Sequence, residues 1–162
     1  MKKGWIKFFF YFLILFILFY NPISARIMTV ATATFHNLNI SLYYKQIAAE
    51  SAFRSFAFSK KGAIGLGQIQ PITAKYIQPK NPVFFLWFPP TNLHTSAKYM
   101  KYLLKKYDKN WSLSLAAYNW GETNVDKRIG QLKIEEKKNY REIFSDIPET
   151  YAFIGKIIKK EK

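Results

Sequence analysis

Apolar and polar positions alternate along this chain mostly with a helical period. Ile40, Tyr43, Tyr44, Ile47 and Ala48 recur at helical spacing. They predict an amphipathic helix over residues 40 to about 51, capped by Asn39 or Ser41. The period then fails. Across residues 53–67, Ser59, Lys60, Lys61 and Gly62 mark a turn, and Gly62, Gly65 and Gly67 permit positive φ or close backbone approach. A short helix over residues 72–77 follows Pro71. Pro79, Pro82, Pro89 and Pro90 exclude a long helix through the aromatic run 83–88, whose rings read as core or as the wall of a groove. Thr91 or Asn92 is expected to cap the next helix. Leu93, Ala97, Met100, Leu104 and Tyr107 lie on one of its faces, and Lys98, Lys101 and Lys105 on another. Residues 111–120 predict a further helix closed by Gly121. Residues 122–140 are charged and read as a surface loop or a frayed helix. Asp146-Ile147-Pro148 opens the last helix, with Phe153, Ile154, Ile157 and Ile158 inward and a solvated tail over 159–162. Residues 26–35, rich in Thr, Ala and Val, show no clear helical period and are expected to form an extended lead-in. With no internal repeat and no linker, the pattern predicts one mainly α domain.

The N-terminus has a different texture. Lys2, Lys3 and Lys7 precede an unbroken apolar run over 8–20, which Asn21-Pro22 ends before Ile23-Ser24-Ala25. Residues 1–25 read as a secretory signal cut after Ala25, or as a retained membrane anchor through residues 5–20. The run is short against the roughly 20 apolar residues that a spanning helix needs. Either way residues 26–162 are expected outside the cytoplasm, in the periplasm or cell envelope, and tethered to the inner membrane if the anchor is retained.

Composition narrows the chemistry. The chain has 162 residues, 49% of them hydrophobic, so a packed core is expected rather than disorder. The absence of cysteine excludes thiol catalysis, disulfides and thiolate metal sites. Two histidines, His36 and His94, are too few for a histidine-rich metal centre, and no metal or organic cofactor is expected. The net charge is +15, or +12 without residues 1–25. That favours an anionic partner: nucleic acid, anionic lipid or an acidic wall polymer. No groove-reading motif is present, and nucleic acid is not expected as a partner. The spacing Gly62-x-x-Gly65-x-Gly67 is not a dinucleotide fingerprint, because no strand precedes it and no acid follows at the required distance.

Against this charge, one acid stands out. From Met1, Glu50 is the only carboxylate until Asp108, and its neighbours Ile47, Ala48, Ala49, Ala52 and Phe53 are apolar. Desolvation disfavours a charged carboxylate, so such an acid is suited to donating a proton near neutral pH.

From Glu50 onward the residues resemble a known pattern. Glu50-Ser51-x-Phe53, then Ala57-x-Ser59-x-x-Gly62-Ala63-x-Gly65-Leu66-x-Gln68-Ile69-x-Pro71-x-Thr73-Ala74, is similar to the signature of the soluble lytic transglycosylases. Asn92-Leu93 with Tyr99, Ala116-Ala117-Tyr118-Asn119-Trp120-Gly121 and Pro148-Glu149-Thr150 follow in the family's order. The resemblance spans about residues 40–158. It implies a lysozyme-like fold of the goose type and non-hydrolytic cleavage of peptidoglycan between N-acetylmuramic acid and N-acetylglucosamine. It also implies Glu50 as the single catalytic acid and base. By the same resemblance Ser59 and Gln68 contact substrate or hold the loop over Glu50. Tyr118 places its hydroxyl near the acid or the sugar, Asn119 orders that wall, and Glu149 stands at the far side of the cleft. The sequence departs from the pattern at Gly67, Gln70, Ser96, Trp120, Tyr151 and Phe153. Gln70 falls on a substrate-facing wall, Trp120 is bulky where alanine is usual, and the last two replace arginine and tyrosine. The rivals are a lysozyme-type hydrolase, a wall-binding protein without turnover, and a cationic membrane-active protein. A secretion or conjugation apparatus is a possible partner by analogy.

Overall fold

The computed structural model describes residues 2–131 and 142–158. The chain divides into two compact units, Met1–Ser96 and Ala97–Lys162, and the division falls inside one long helix. Among the described residues there are helices and isolated bridges but no strand.

In the first unit, helix α1 (Lys2–Phe19) is apolar, and its described side chains from Trp5 to Leu18 are exposed. Asn21 then caps helix α2 (Pro22–Phe35), its Oδ1 accepting from the Ser24 amide at 2.9 Å, with Pro22 at the tolerated first position. Helix α2 corrects the expectation of an extended lead-in over 26–35. Its buried stripe is made of small residues, Ala25, Thr29 and Ala33, spaced by four and packed toward the next helix. The Thr29 hydroxyl donates to the Ala25 carbonyl at 2.7 Å, so it is buried without an unmet hydrogen bond. A stripe without large side chains gives no apolar period, and its threonines and valine mimic strand composition.

Helix α3 (Ile40–Ser51) has the predicted bounds. Asn39 Oδ1 accepts from the Leu42 amide at 3.0 Å, while Tyr43 and Ile47 are fully buried. Helix α4 (Pro71–Ile77) and a short 3-10 helix (Val83–Trp87) follow, the latter being all that the prolines allow. Helix α5 (Pro89–Lys106) begins earlier than expected. Asn92 is therefore not its cap. It lies inside the first turn, fully buried, because Pro89 and Pro90 fit at helix starts where no amide partner is needed. Tyr43, Ile47, Leu66, Ile69, Leu86 and Leu93 form this unit's core.

In the second unit, helix α6 (Trp111–Trp120) is capped by Asn110, whose Oδ1 accepts from the Leu113 amide at 3.0 Å. Gly121 at φ +95° ends α6 and turns the chain directly into helix α7 (Glu122–Gly130). The charged stretch expected as loop or frayed helix is thus helical over that range, and residues 132–141 lie outside the described residues. Lys106 meets Glu122 at 3.1 Å and Asp126 at 2.6 Å, and the Tyr107 hydroxyl donates to Asp126 at 2.9 Å. Helix α8 (Pro148–Ile157) starts where predicted; its expected tail over 159–162 also lies outside the described residues. Helix α6 packs against α7 and α8 around Leu115, Ala116, Phe144, Ile154 and Ile157.

Candidate active site

Glu50 sits half-buried in the last turn of α3. The helix stops at once after it. Ala52 and Phe53 both adopt the left-handed region, at φ 51° and 59°, a conformation that non-glycine residues rarely take. The break is secured on both sides. The Ala52 amide donates to the Ala48 carbonyl at 3.0 Å, and the Arg54 amide and Nε both donate to the Ser51 carbonyl, at 3.0 and 3.1 Å. Phe53 is driven inward, 4.8 Å from the Tyr44 ring, with the Arg26 guanidinium 5.2 Å over its face. The backbone carrying Glu50 is fixed by these contacts.

The loop after it is built from backbone pairs. Isolated bridges join Phe58 to Ile64 and Ile64 to Ile69. Ser59 Oγ accepts from the Ala63 amide at 3.0 Å and closes the predicted turn. Gln68, itself left-handed at φ 48°, donates from Nε2 to the Gly65 carbonyl at 2.9 Å and the Ala57 carbonyl at 3.2 Å. Of the two roles expected for Ser59 and Gln68, these bonds are those of loop holders. Gln70 is exposed at the start of α4 and makes no side-chain cap there.

The residue missed by the sequence reading is Asn92. Its Oδ1 accepts from the Gly67 amide at 2.7 Å, and its Nδ2 donates to the Ile64 and Leu86 carbonyls at 2.8 and 2.9 Å. One buried side chain thus ties the glycine loop to the start of α5 and the 3-10 helix. Gly65, at φ +74°, packs so closely on Asn92 that a Cβ there would overlap its amide group. In the sequence Asn92 reads as a helix cap and as part of the Asn92-Leu93 motif, and neither reading gives this bridge.

In the second unit Tyr118 is half-buried on α6, its ring 5.1 Å from that of Tyr99. Asn119 Oδ1 accepts from the Thr150 hydroxyl at 2.9 Å and links α6 to α8. Glu149 is exposed in the first turn of α8. Trp120 stands edge-on to Phe144 at 6.3 Å with the Arg128 guanidinium 5.9 Å from its ring, while Phe153 is buried and Tyr151 donates to Glu142 at 3.2 Å. Among the described residues no three His, Asp or Glu side chains gather as a metal site. His36 and His94 meet each other, Nε2 to Nδ1, at 2.9 Å.

The family described as "Transglycosylase SLT domain" matches residues 29–141. The chain belongs to this family. A protein of Haemophilus influenzae named as a soluble lytic murein transglycosylase is 34% identical over 115 residues, 64% of this chain and 19% of that one. A protein of Alteromonas sp. named for tributyltin chloride resistance is 33% identical over 90 residues, 52% of this chain and 42% of that one. An inactive mutant of the lytic transglycosylase Slt of Pseudomonas aeruginosa superposes with a TM-score of 0.73 at 27% identity, covering 84% of this chain and 23% of its own. The 70-kDa soluble lytic transglycosylase of Escherichia coli gives 0.69 at 23% identity, with the same coverage of 84% and 23%. The SLT chain described here thus has the lysozyme-like α fold expected from its motifs, and it spans well under half the length of these relatives.

Proposed function

We propose that this SLT-family chain is a peptidoglycan lytic transglycosylase that works through Glu50 alone. The observation that carries the reading is the setting of that acid. It is the single carboxylate of residues 1–96, half-buried at a helix end locked by two left-handed residues, in the unit that carries the family's glycine loop. Most glycosidases need two carboxyl groups; a single one suffices when the substrate supplies the second function.

In the proposed reaction the Glu50 carboxyl gives its proton to the glycosidic oxygen between N-acetylmuramic acid and N-acetylglucosamine. The β-1,4 C1–O bond breaks, and the muramic 2-acetamido oxygen steadies the positive C1. Glu50, now a carboxylate, takes the proton of the muramic 6-hydroxyl, whose oxygen closes on C1 as the acetamido group leaves. The product is a 1,6-anhydro sugar, Glu50 ends as it began, and no water enters. Tyr118 is proposed to offer its hydroxyl to the sugar. Gln70 and Glu149 are proposed as glycan contacts, and Ser59, Gln68 and Asn119 as supports of the segments that carry them. Residues 1–25 are proposed to bring the chain to the periplasm or cell envelope, as a signal or an anchor. Local opening of the wall for a secretion or conjugation apparatus is the proposed setting.

The test is mass spectrometry of purified peptidoglycan digested with the protein and with Glu50→Gln. Fragments ending in 1,6-anhydro-muramic acid, absent with the variant, are the expected result. Reducing muramic ends would make the protein a hydrolase. Glycan binding without soluble fragments would make it a wall-binding protein.

A further inference from the structure

We propose that the exposed rings of Phe56, Phe58, Phe84, Phe85 and Phe88, together with helix α1, form one face that rests on an anionic phospholipid bilayer. The first unit shows an unusual amount of aromatic surface, with Phe58 64% and Phe84 75% exposed. Exposed rings grouped in this way mark an interaction surface. Phe56 and Phe88 meet the end of the N-terminal segment directly, Phe58 meets it through Trp87, and Phe84 and Phe85 pair at 6.2 Å in the same 3-10 helix as Trp87. Phe56 stacks on Tyr20 at 4.7 Å and on Phe16 at 6.0 Å, Phe88 lies 5.3 Å from Phe19, and Phe58 stacks on Trp87 at 5.9 Å. The Tyr20 hydroxyl donates to the Trp87 carbonyl at 3.2 Å. The last turn of α1 is thus seated among the rings.

Helix α1 itself shows which solvent the face wants. Before its last turn the helix is exposed all round and, Lys7 apart, apolar from Trp5 onward, and such a helix has no aqueous resting place. No single helix among the described residues is long and apolar enough to cross a membrane, while α1 and α2 together reach that length and composition as a pair bent by 64°. Aromatic rings gather where lipid meets water, because one end of the environment is apolar and the other wet. Charge agrees. Residues 1–96 carry ten Lys and Arg against Glu50, and the exposed Arg54, Lys60, Lys61 and Lys80 are sequence neighbours of the rings. The proposal requires α1 to remain attached. A cut after Ala25 would fall inside α2, removing its Asn21 cap and its fully buried Ala25. The face is independent of the chemistry of Glu50.

The chain has no cysteine, so single labels are available on the full-length protein. Phe58→Cys and Phe84→Cys are each coupled to a polarity-sensitive fluorophore and mixed with phosphatidylethanolamine–phosphatidylglycerol vesicles, with or without nitroxide-bearing lipid. The expected result is flotation with the vesicles, a blue shift at both labels on vesicle addition, and quenching by the nitroxide. Adding Glu50→Gln to the same chain leaves that shift unchanged. Flotation with unchanged emission would overturn the face and leave α1 as a bare anchor. Absence of flotation would overturn both. A blue shift without vesicles that grows with protein concentration would assign the face to a second copy and also overturn the proposal.

Discussion

In the proposed reaction Glu50 acts first as an acid and then as a base, and an amide can do neither. Glu50→Gln is expected to lower murein turnover by about 10²–10⁴-fold, the usual span for a lost general acid–base group. Its melting temperature should stay near the parent's, because the helix end is held by backbone bonds and Phe53. Asn92 is the opposite case. Asn92→Leu takes an acceptor from the Gly67 amide and a donor from the Ile64 and Leu86 carbonyls, of which Ile64 still accepts from the Ile69 amide, and a buried group left unsatisfied costs about 1–3 kcal/mol. A urea titration should show a midpoint far below the parent's, and an unchanged midpoint would mean that the loop is held otherwise. Gly65→Ala should fail similarly, since a Cβ would overlap Asn92 at a backbone angle suited to glycine. The helix end that carries Glu50 was legible from the apolar period before it, and the turn at Ser59 from its own residues. Asn92 was not, because a buried side chain serving backbone groups 25 and 28 residues away looks locally like a helix cap.

Helices α3, α4 and α8 were legible at their first turns, through Asn39, Pro71 and Pro148. These residues satisfy or avoid the unmet amides of a first turn, a local demand that sequence records directly. Asn39→Ala should therefore cost about 1 kcal/mol in a denaturant titration. Helix α2 was illegible because its contact runs through Ala25, Thr29 and Ala33, whose value lies in close approach rather than in bulk. The tie between α7 and the start of α8 is ionic. Arg128 donates to Asp146 at 2.6 Å, and that hydrogen bond with the attendant charge lowers the Asp146 carboxyl below its ordinary range. A lowered folded value adds stability above the unfolded carboxylate range and loses it as pH falls through the folded one. The pair is exposed, so the effect is small. The melting-temperature gap between the parent and Asp146→Asn should be greatest near neutral pH and close under acid.

At the scale of the whole molecule, a charge of +15 on 162 residues favours an anionic partner such as the proposed wall polymer. Long-range attraction of that kind is screened by salt. Pull-down on insoluble murein should weaken as sodium chloride rises from low to physiological concentration, and binding indifferent to salt would assign it to short-range contacts. Composition made the sign of that charge plain but could not choose its partner; the aromatic face and the acid each had to be found by position. The Asn92 bridge also bears on the order of assembly. Its three bonds join the glycine loop, the 3-10 helix and the first turn of α5, so the final packing of each depends on the others. Closing that loop early would spend chain entropy before any contact repays it. The Gly67 amide should consequently exchange with deuterium only when the start of α5 opens too, making it a reporter of that concerted opening in the native protein.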